Sequence, residues 1–286
     1  MQVLEAAVAQ AANPWPMRRE RAAELAERLP HAAEMLRLYQ ALIDHLPPSL
    51  AGEGRGGGIF PSPARGEGQG GGIAALAVEH VLPGVIDATV EHGPRALRDG
   101  VVSVFCSADL VNLVQRWLDN QPLAEVETYL ARASASPLLE ASATSPSANF
   151  PPPLAGEGQG GGTSTHCPSC GGLPQLSYFA VSGEALVSGP RYLVCSRCAT
   201  NWVFSRMTCA GCGESTGPKL PIFQEQDRFP HVRVDGCKTC RKYLLTFDLR
   251  RDTRAVPVVD EIAALPLDLY ARDRGLTKIT PNLMGN

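Results

Sequence analysis

Eight cysteines stand in four Cys-x-x-Cys pairs: Cys167/Cys170, Cys195/Cys198, Cys209/Cys212 and Cys237/Cys240. A Cys-x-x-Cys turn aims two sulfurs at one point, and two such turns brought together supply four thiolates in a tetrahedron. Twenty-four residues separate Cys170 from Cys195, and again Cys212 from Cys237, while Cys209 follows Cys167 at an offset of 42. The repeat extends beyond the sulfurs. CPSCGG and CAGCGE open the two units, RYLVCSRCATNWVF and VRVDGCKTCRKYLL close them, and an aromatic, Trp202 or Tyr243, follows each closing pair. Duplication of one ribbon-sized unit accounts for this spacing and favours sequential ligation, the first two pairs forming one site and the last two the other. Crosswise ligation is the alternative.

Four thiolates suit either iron of the rubredoxin kind or zinc, and spacing does not separate the two. Each site is filled by protein, which leaves no coordination position for water or substrate and argues against Lewis-acid hydrolysis. Disulfides are the competing use of such cysteines. The N-terminal MQVLEAAVAQAANPWPMRRE lacks a basic head followed by an apolar run, so no signal peptide is read. The longest apolar window, Ile73 to Val90, is interrupted by Glu79, His80, Pro83 and Asp87 and is read as a non-membrane segment. A cytoplasmic chain keeps its thiols reduced and open to metal.

The elements that must hold these turns follow from patterning. With 286 residues and 44% hydrophobic content the chain supports two domains. Apolar stripes at helical period run over Arg18 to Leu46, Ile73 to His92 and Arg95 to Asp119, and a shorter helix starts at Pro122. Cys106 falls inside the third stripe beside Phe105 and is read as a core thiol. His31, His45, His80, His92, His166 and His231 show no ligand spacing, and only His166, next to Cys167, sits close to a metal turn. Val256 to Arg274 returns to helical pattern with Asp260, Glu261 and Asp268 as its acids and Gly275 as its stop. Such acids commonly form a solvated face; the alternatives are a docking surface, or a clasp onto the ribbon module through its basic residues.

Three near-copies of a twelve-residue string, PPSLAGEGRGGG at 47–58, PSPARGEGQGGG at 61–72 and PPPLAGEGQGGG at 151–162, have little to bury. They lack the lysine and hydroxyl of a phosphate-binding loop and read as spacers, a translated repetitive insertion. The expected organisation is α+β: a helical domain at 1–46 and 73–146, Gly/Pro-rich flexible inserts at 47–72 and 147–164, ribbon modules at 165–206 and 207–250, and a C-terminal helix and tail at 251–286.

Net charge is −3, and residues 163–247 carry nine Lys or Arg against five Asp or Glu. Two tetrathiolate metal sites add two negative charges each and cancel that excess of four. Nucleic-acid binding through phosphate neutralisation wants a stronger basic stripe. A nucleic-acid-binding zinc ribbon and a stand-alone rubredoxin-like electron carrier are the competing classes. The helical domain and the C-terminal helix are superfluous to a simple carrier.

RYLVCSRCATNWVFSRMTCAGCGES, CPSCGGLP, CKTCRKYLL and the terminal DEIAALPLDLYARDRGLTKITPN together resemble the formate dehydrogenase accessory protein family (FdhE). NPWPMRRERAAELAE and MLRLYQALI fit its opening more loosely. The resemblance implies a cytoplasmic, non-enzymatic maturation chaperone. It would act on the catalytic subunit of formate dehydrogenase, with helices followed by two rubredoxin-like modules and iron as the associated metal. It also implies that Cys167, Cys170, Cys195, Cys198, Cys209, Cys212, Cys237 and Cys240 are the metal ligands. Asn201 and Glu261 stand where the family has aspartate or another acid, and the glycine-rich strings are absent from its pattern. Neither the residues nor the resemblance specifies an oligomeric state.

Overall fold

The computed structural model describes residues 13–51, 70–143, 162–181 and 189–285. Most of each glycine-rich string lies outside these residues. The chain divides into two compact units, 1–144 with 283–285, and 145–282.

The first unit is helical. Helix α1 (Trp15–Arg28) ends at Leu29, because Pro30 cannot continue its hydrogen bonds, and a 3-10 turn over Pro30–Ala32 leads into α2 (Ala33–Asp44). The single helix expected over Arg18 to Leu46 is therefore two. A short turn of helix, α3 (Pro48–Ala51), buries Leu50 in the core. Helix α4 (Gly70–Leu76) runs through a π-helical turn (Ala77–Val81) into α5 (Leu82–His92). The wider turn coincides with Pro83, whose ring cannot fit a regular ladder.

By length and composition alone, Gly72–His92 is apolar enough to cross a membrane. In this fold its Ala74, Ala77, Val81, Leu82, Val85 and Ala88 are buried in the helical core.

The expected third helix is also divided, into α6 (Arg95–Ser107) and α7 (Leu110–Leu118), where the Asp109 side chain caps α7 by accepting from the Asn112 N–H at 3.0 Å. The break changes the phase of the apolar stripe. Val101, Leu113 and Val114 are buried, but Phe105 is 50% exposed and Cys106 is exposed, which corrects the reading of Cys106 as a core thiol. Helix α8 (Glu125–Ser142) closes the bundle. A two-bond ion pair from Arg18 to Glu140, at 2.9 and 2.6 Å, ties it to α1, and a 2.6 Å hydroxyl pair between Thr89 and Tyr129 ties it to α5.

The second unit is built on one sheet. Its strands are β1 (Pro174–Phe179), β2 (Arg191–Cys195), β3 (Asn201–Phe204), β4 (Ile222–Gln224), β5 (Val232–Gly236), β6 (Lys242–Asp248) and β7 (Thr277–Lys278). They lie in the order β3-β2-β1-β6-β5-β4, with β7 paired to β6. Each half is an antiparallel three-stranded ribbon, and the halves join through a parallel pairing of β1 with β6, Leu176 opposite Leu245 and Phe179 opposite Asp248. The tandem modules therefore share a continuous sheet. Strand β6, central and buried from Tyr243 to Phe247, is apolar apart from Thr246.

The C-terminal helix is two short ones, α9 (Pro257–Ala263) and α10 (Leu265–Asp273), interrupted at Ala264 ahead of Pro266 and stopped by Gly275 at φ +69°. Val259, Ile262, Ala263, Leu267 and Ala271 are buried. So are all three acids: Asp260 is 4% exposed, and Glu261 and Asp268 are 0% exposed. The solvated-face reading of these acids does not hold.

Candidate metal centres

Each Cys-x-x-Cys pair forms the same knuckle. The N–H of the first cysteine donates to a carbonyl five residues on: Cys167 to Gly172 at 2.8 Å, Cys195 to Thr200 at 3.0 Å, Cys209 to Glu214 at 2.8 Å and Cys237 to Lys242 at 2.9 Å. The residue after each second cysteine lies in the left-handed region: Gly171 at φ +70°, Ala199 at +52°, Gly213 at +77° and Arg241 at +59°. That conformation reverses the chain after the second sulfur and sends it into a strand. Glycine takes it without cost, and the other two are held in it by the surrounding turns. Gly172 has a packing role as well, since a Cβ there would sit 3.0 Å from the Cys195 sulfur.

These knuckles bring the eight cysteines together in the sequential sense, Cys167, Cys170, Cys195 and Cys198 in one group and Cys209, Cys212, Cys237 and Cys240 in the other, the sulfurs of each group lying within 4.8 Å of one another. All eight are free thiols. In the first group Cys167–Cys198 is 3.7 Å, and Cys170 lies 3.4 Å from both Cys195 and Cys198. In the second, Cys209–Cys240 is 3.7 Å and Cys212–Cys237 is 3.8 Å. A tetrahedron with metal–sulfur bonds of about 2.3 Å has sulfur–sulfur edges of about 3.8 Å, so the donor sets fit a four-coordinate metal ion in each group.

Backbone N–H groups point at the sulfurs, Ser169 to Cys167 at 3.4 Å, Arg197 to Cys195 at 3.4 Å and Gly211 to Cys209 at 3.3 Å. Such donors stabilise thiolate charge and tune a bound metal. Hydrogen bonds from the thiols of Cys170, Cys195 and Cys198 hold Cys167 far down toward its thiolate, whereas those with Cys167, Cys170 and Cys198 push Cys195 up. Four thiolate charges at these separations require a cation.

Side chains also clamp the knuckles together. In the first site Thr200 contacts the Cys198 sulfur at 3.2 Å and donates to Ser169 of the opposite knuckle at 3.3 Å. In the second, Glu214 accepts from Thr239 at 2.7 Å and from Lys219 at 3.0 Å. The hydrogen bond from Thr239 leads the interactions that hold the Glu214 carboxyl well below the usual range. The sites differ in exposure. Cys167, Cys195 and Cys198 are buried, while the second site exposes Cys212.

Both sites lie at one end of the sheet, because β1 and β6 run parallel and each begins just after a knuckle. His166 is exposed, hydrogen-bonded to Thr165 at 3.1 Å, and outside both sulfur groups.

Behind the second site lies a network that patterning did not show. The Lys278 ammonium lies 2.8 Å from Glu261 and donates to Asp268 at 3.1 Å, and the Tyr243 hydroxyl donates to Asp268 at 2.9 Å. The Gln175 amide also donates to Glu261. Gln175 is the extra residue of a bulge between β1 and β2, a device that re-aims a side chain. Burial first, and then the charge of Asp268, push the Glu261 carboxyl up against the opposing effect of Lys278. Asp260 accepts from the Val256 N–H at 2.8 Å. Together these contacts clasp α9 and α10 to β1, β6 and β7. The clasp reading of the three acids was the useful one, although its lysine comes from the C-terminal tail.

Residues 166–206 match the family model described as FdhE, central domain, and residues 207–284 match FdhE, C-terminal domain. Curated relatives include a protein FdhE homolog of Aquifex aeolicus strain VF5, 35% identical over 120 residues, and one of Pseudomonas aeruginosa, 34% identical over 124 residues. These matches cover 42% of this chain and 41% and 39% of the respective relatives, so the aligned stretch spans about two fifths of their length. The crystal structure of the FdhE protein from Pseudomonas aeruginosa superposes with a TM-score of 0.60 at 23% identity, covering 94% of each chain, and shares the fold. The resemblance carried by the sequence motifs is thus matched over residues 166–284, which are similar to the FdhE central and C-terminal domains in tandem.

Proposed function

We propose that this chain is a cytoplasmic accessory protein for the assembly or activation of formate dehydrogenase, docking on the immature catalytic subunit and performing no catalysis of its own. The observation that carries the reading is the pair of closed four-thiol sites within FdhE-type domains. A site with four protein sulfurs has no place for a substrate on the metal. Iron is the metal proposed for both sites, with zinc the alternative. Iron held by four thiolates exchanges one electron with little change in geometry.

The residues of the chain favour such a role. The backbone donors to Cys167, Cys195 and Cys209 stabilise sulfur charge, and the exposed Cys212 brings one corner of the second site to the surface. The buried clasp from Lys278 to Glu261 and Asp268 makes the sheet a rigid platform behind that corner.

The test is formate-dependent dye reduction in cells lacking the gene, with the catalytic subunit quantified in the same extracts. Lost activity with the polypeptide still present is the expected result. Unchanged activity rejects the reading.

A further inference from the structure

Away from the two thiol groups, arginines crowd the sheet face opposite α9 and α10. Tyr243 reaches Asp268 of α10, so by strand alternation Leu244 and Thr246 point the other way, where Thr246 donates to Asp235 at 2.6 Å. On that face the guanidinium groups of Arg206, Arg233 and Arg250 stand 4.9, 4.8 and 5.5 Å from the ring centre of Phe179. Arg191, 2% exposed, lies beside them and donates to Ser177 at 3.1 Å and to the Thr208 carbonyl at 3.0 Å.

Two carboxylates serve these four cations. Asp235 is shared by Arg191 at 3.2 Å and Arg233 at 2.8 Å. Asp248 takes two hydrogen bonds from Arg250, at 2.7 and 2.6 Å. Among the described residues Arg206 has no carboxylate at ion-pair distance; it donates to the Gly189 carbonyl and stacks on Phe179. Among the described residues these four guanidinium groups share two carboxylates, and the Cys209 thiol group borders the cleft beside them. Like charges gathered in a half-buried place are unfavourable until an anion joins them. Burial first, and then the charges of Arg250 and Arg233, push the Arg206 pKa down, as that crowding requires.

Arg191, Arg206, Arg233 and Asp235 line a shallow, open cleft. Met207, 57% exposed, and Ile222, 50% exposed, also line it and give it an apolar rim. We propose that this cleft binds an acidic segment of a partner polypeptide, a carboxylate seated on Arg206 and Arg233 and a neighbouring apolar side chain resting on Met207 and Ile222. A free oxyanion would use the cations and leave the apolar rim idle; a carboxylate with an apolar neighbour uses both. The site stands apart from the identity of the partner proposed above, and its test involves neither formate dehydrogenase nor formate.

The probe is a fluorescent ten-residue peptide of alternating Glu and Leu, titrated into the full-length, metal-loaded protein and followed by anisotropy. The same peptide with Gln for Glu is the uncharged control, and inorganic phosphate is the competitor. Expected are saturable binding of the Glu peptide that weakens with salt, no binding of the Gln peptide, a loss of about tenfold or more in R206Q with metal content unchanged, and partial retention in R206K. M207E, which replaces an apolar side chain of the rim by a carboxylate, weakens binding as well. Equal binding of both peptides, or binding indifferent to R206Q and M207E, overturns the proposal. Phosphate binding at the cleft without peptide binding overturns the assignment to a polypeptide.

Discussion

Replacing Lys278 by Met tests whether the buried clasp holds the C-terminal helices to the sheet. The ammonium lies 2.8 Å from Glu261 and 3.1 Å from Asp268, and neither carboxylate is exposed. Removing one partner of a buried ion pair costs about 3–5 kcal/mol, because the remaining charge is stranded away from water. In K278M the two buried carboxylates lose the cation they share, and Asp268 keeps the Tyr243 hydroxyl as a donor. With a urea dependence of about 1.5–2 kcal/mol/M, the midpoint of the sheet unit falls by about 2 M. The assay is urea unfolding at fixed free metal in a W15F/W117F background, so that Trp202 of β3 reports on the sheet. K219M is the control: Lys219 pairs with Glu214 at 3.0 Å but is 52% exposed, and its loss costs under about 1 kcal/mol. The triple variant K278M/E261Q/D268N removes the stranded charge and recovers most of the loss. A K278M midpoint within about 0.5 M of wild type, or a triple variant no more stable than the single one, refutes the reasoning.

Cys167→Ser removes one of two metal equivalents by elemental analysis and leaves the group at Cys209 to Cys240 loaded; loss of both would show that the sites do not load independently. Ala199→Gly frees a left-handed residue from its Cβ strain and raises the urea midpoint by an amount worth about 0.5–1 kcal/mol, while Gly213→Val lowers it by about 1–2 kcal/mol. The Glu261 carboxyl is raised in the folded state, so the native protein binds that proton more tightly than the unfolded chain. Its contribution to stability is complete below the ordinary glutamate value of about 4.3 and is lost as pH rises through the raised value. E261Q lacks this titration, so the unfolding free energy of wild type minus that of E261Q must fall with rising pH; a flat difference contradicts the assignment. Stripping metal with a chelator at neutral pH collapses the Trp202 signal in the same tryptophan background and leaves most helical circular dichroism, since the helical unit has its own core.

Cysteine spacing made the two ligand groups legible, because a knuckle is a local structure whose donors and turn lie within six residues. The helical stripes were legible in extent but not in their breaks. Pro30 and Asp109 each end one periodic run and begin another with a new phase, which is why Phe105 and Cys106 emerged at the surface. Asp260, Glu261 and Asp268 read as solvent-facing because periodicity carries no information about Lys278, Tyr243 or Gln175, partners distant in sequence or displaced by a bulge. The arginines around Phe179 were equally hidden. They come from β5 and the segments after β3 and β6, and the parallel seam between the modules brings them to one ring.

That seam has a consequence for assembly. Joining β1 of one module to β6 of the next is a head-to-tail contact between two different edges, the kind that when repeated either closes into a ring or grows as a fibre. Among the described residues no further strand pairs with the outer sides of β3 and β4, two edges of complementary kind. Growth is stopped at both ends by local means. Gly162 accepts from the Ser205 N–H at 3.1 Å and Ser164 accepts from the Trp202 indole at 2.9 Å, which lays a strap along β3, while β4 is only three residues long. A duplication that could have propagated without limit is held at two.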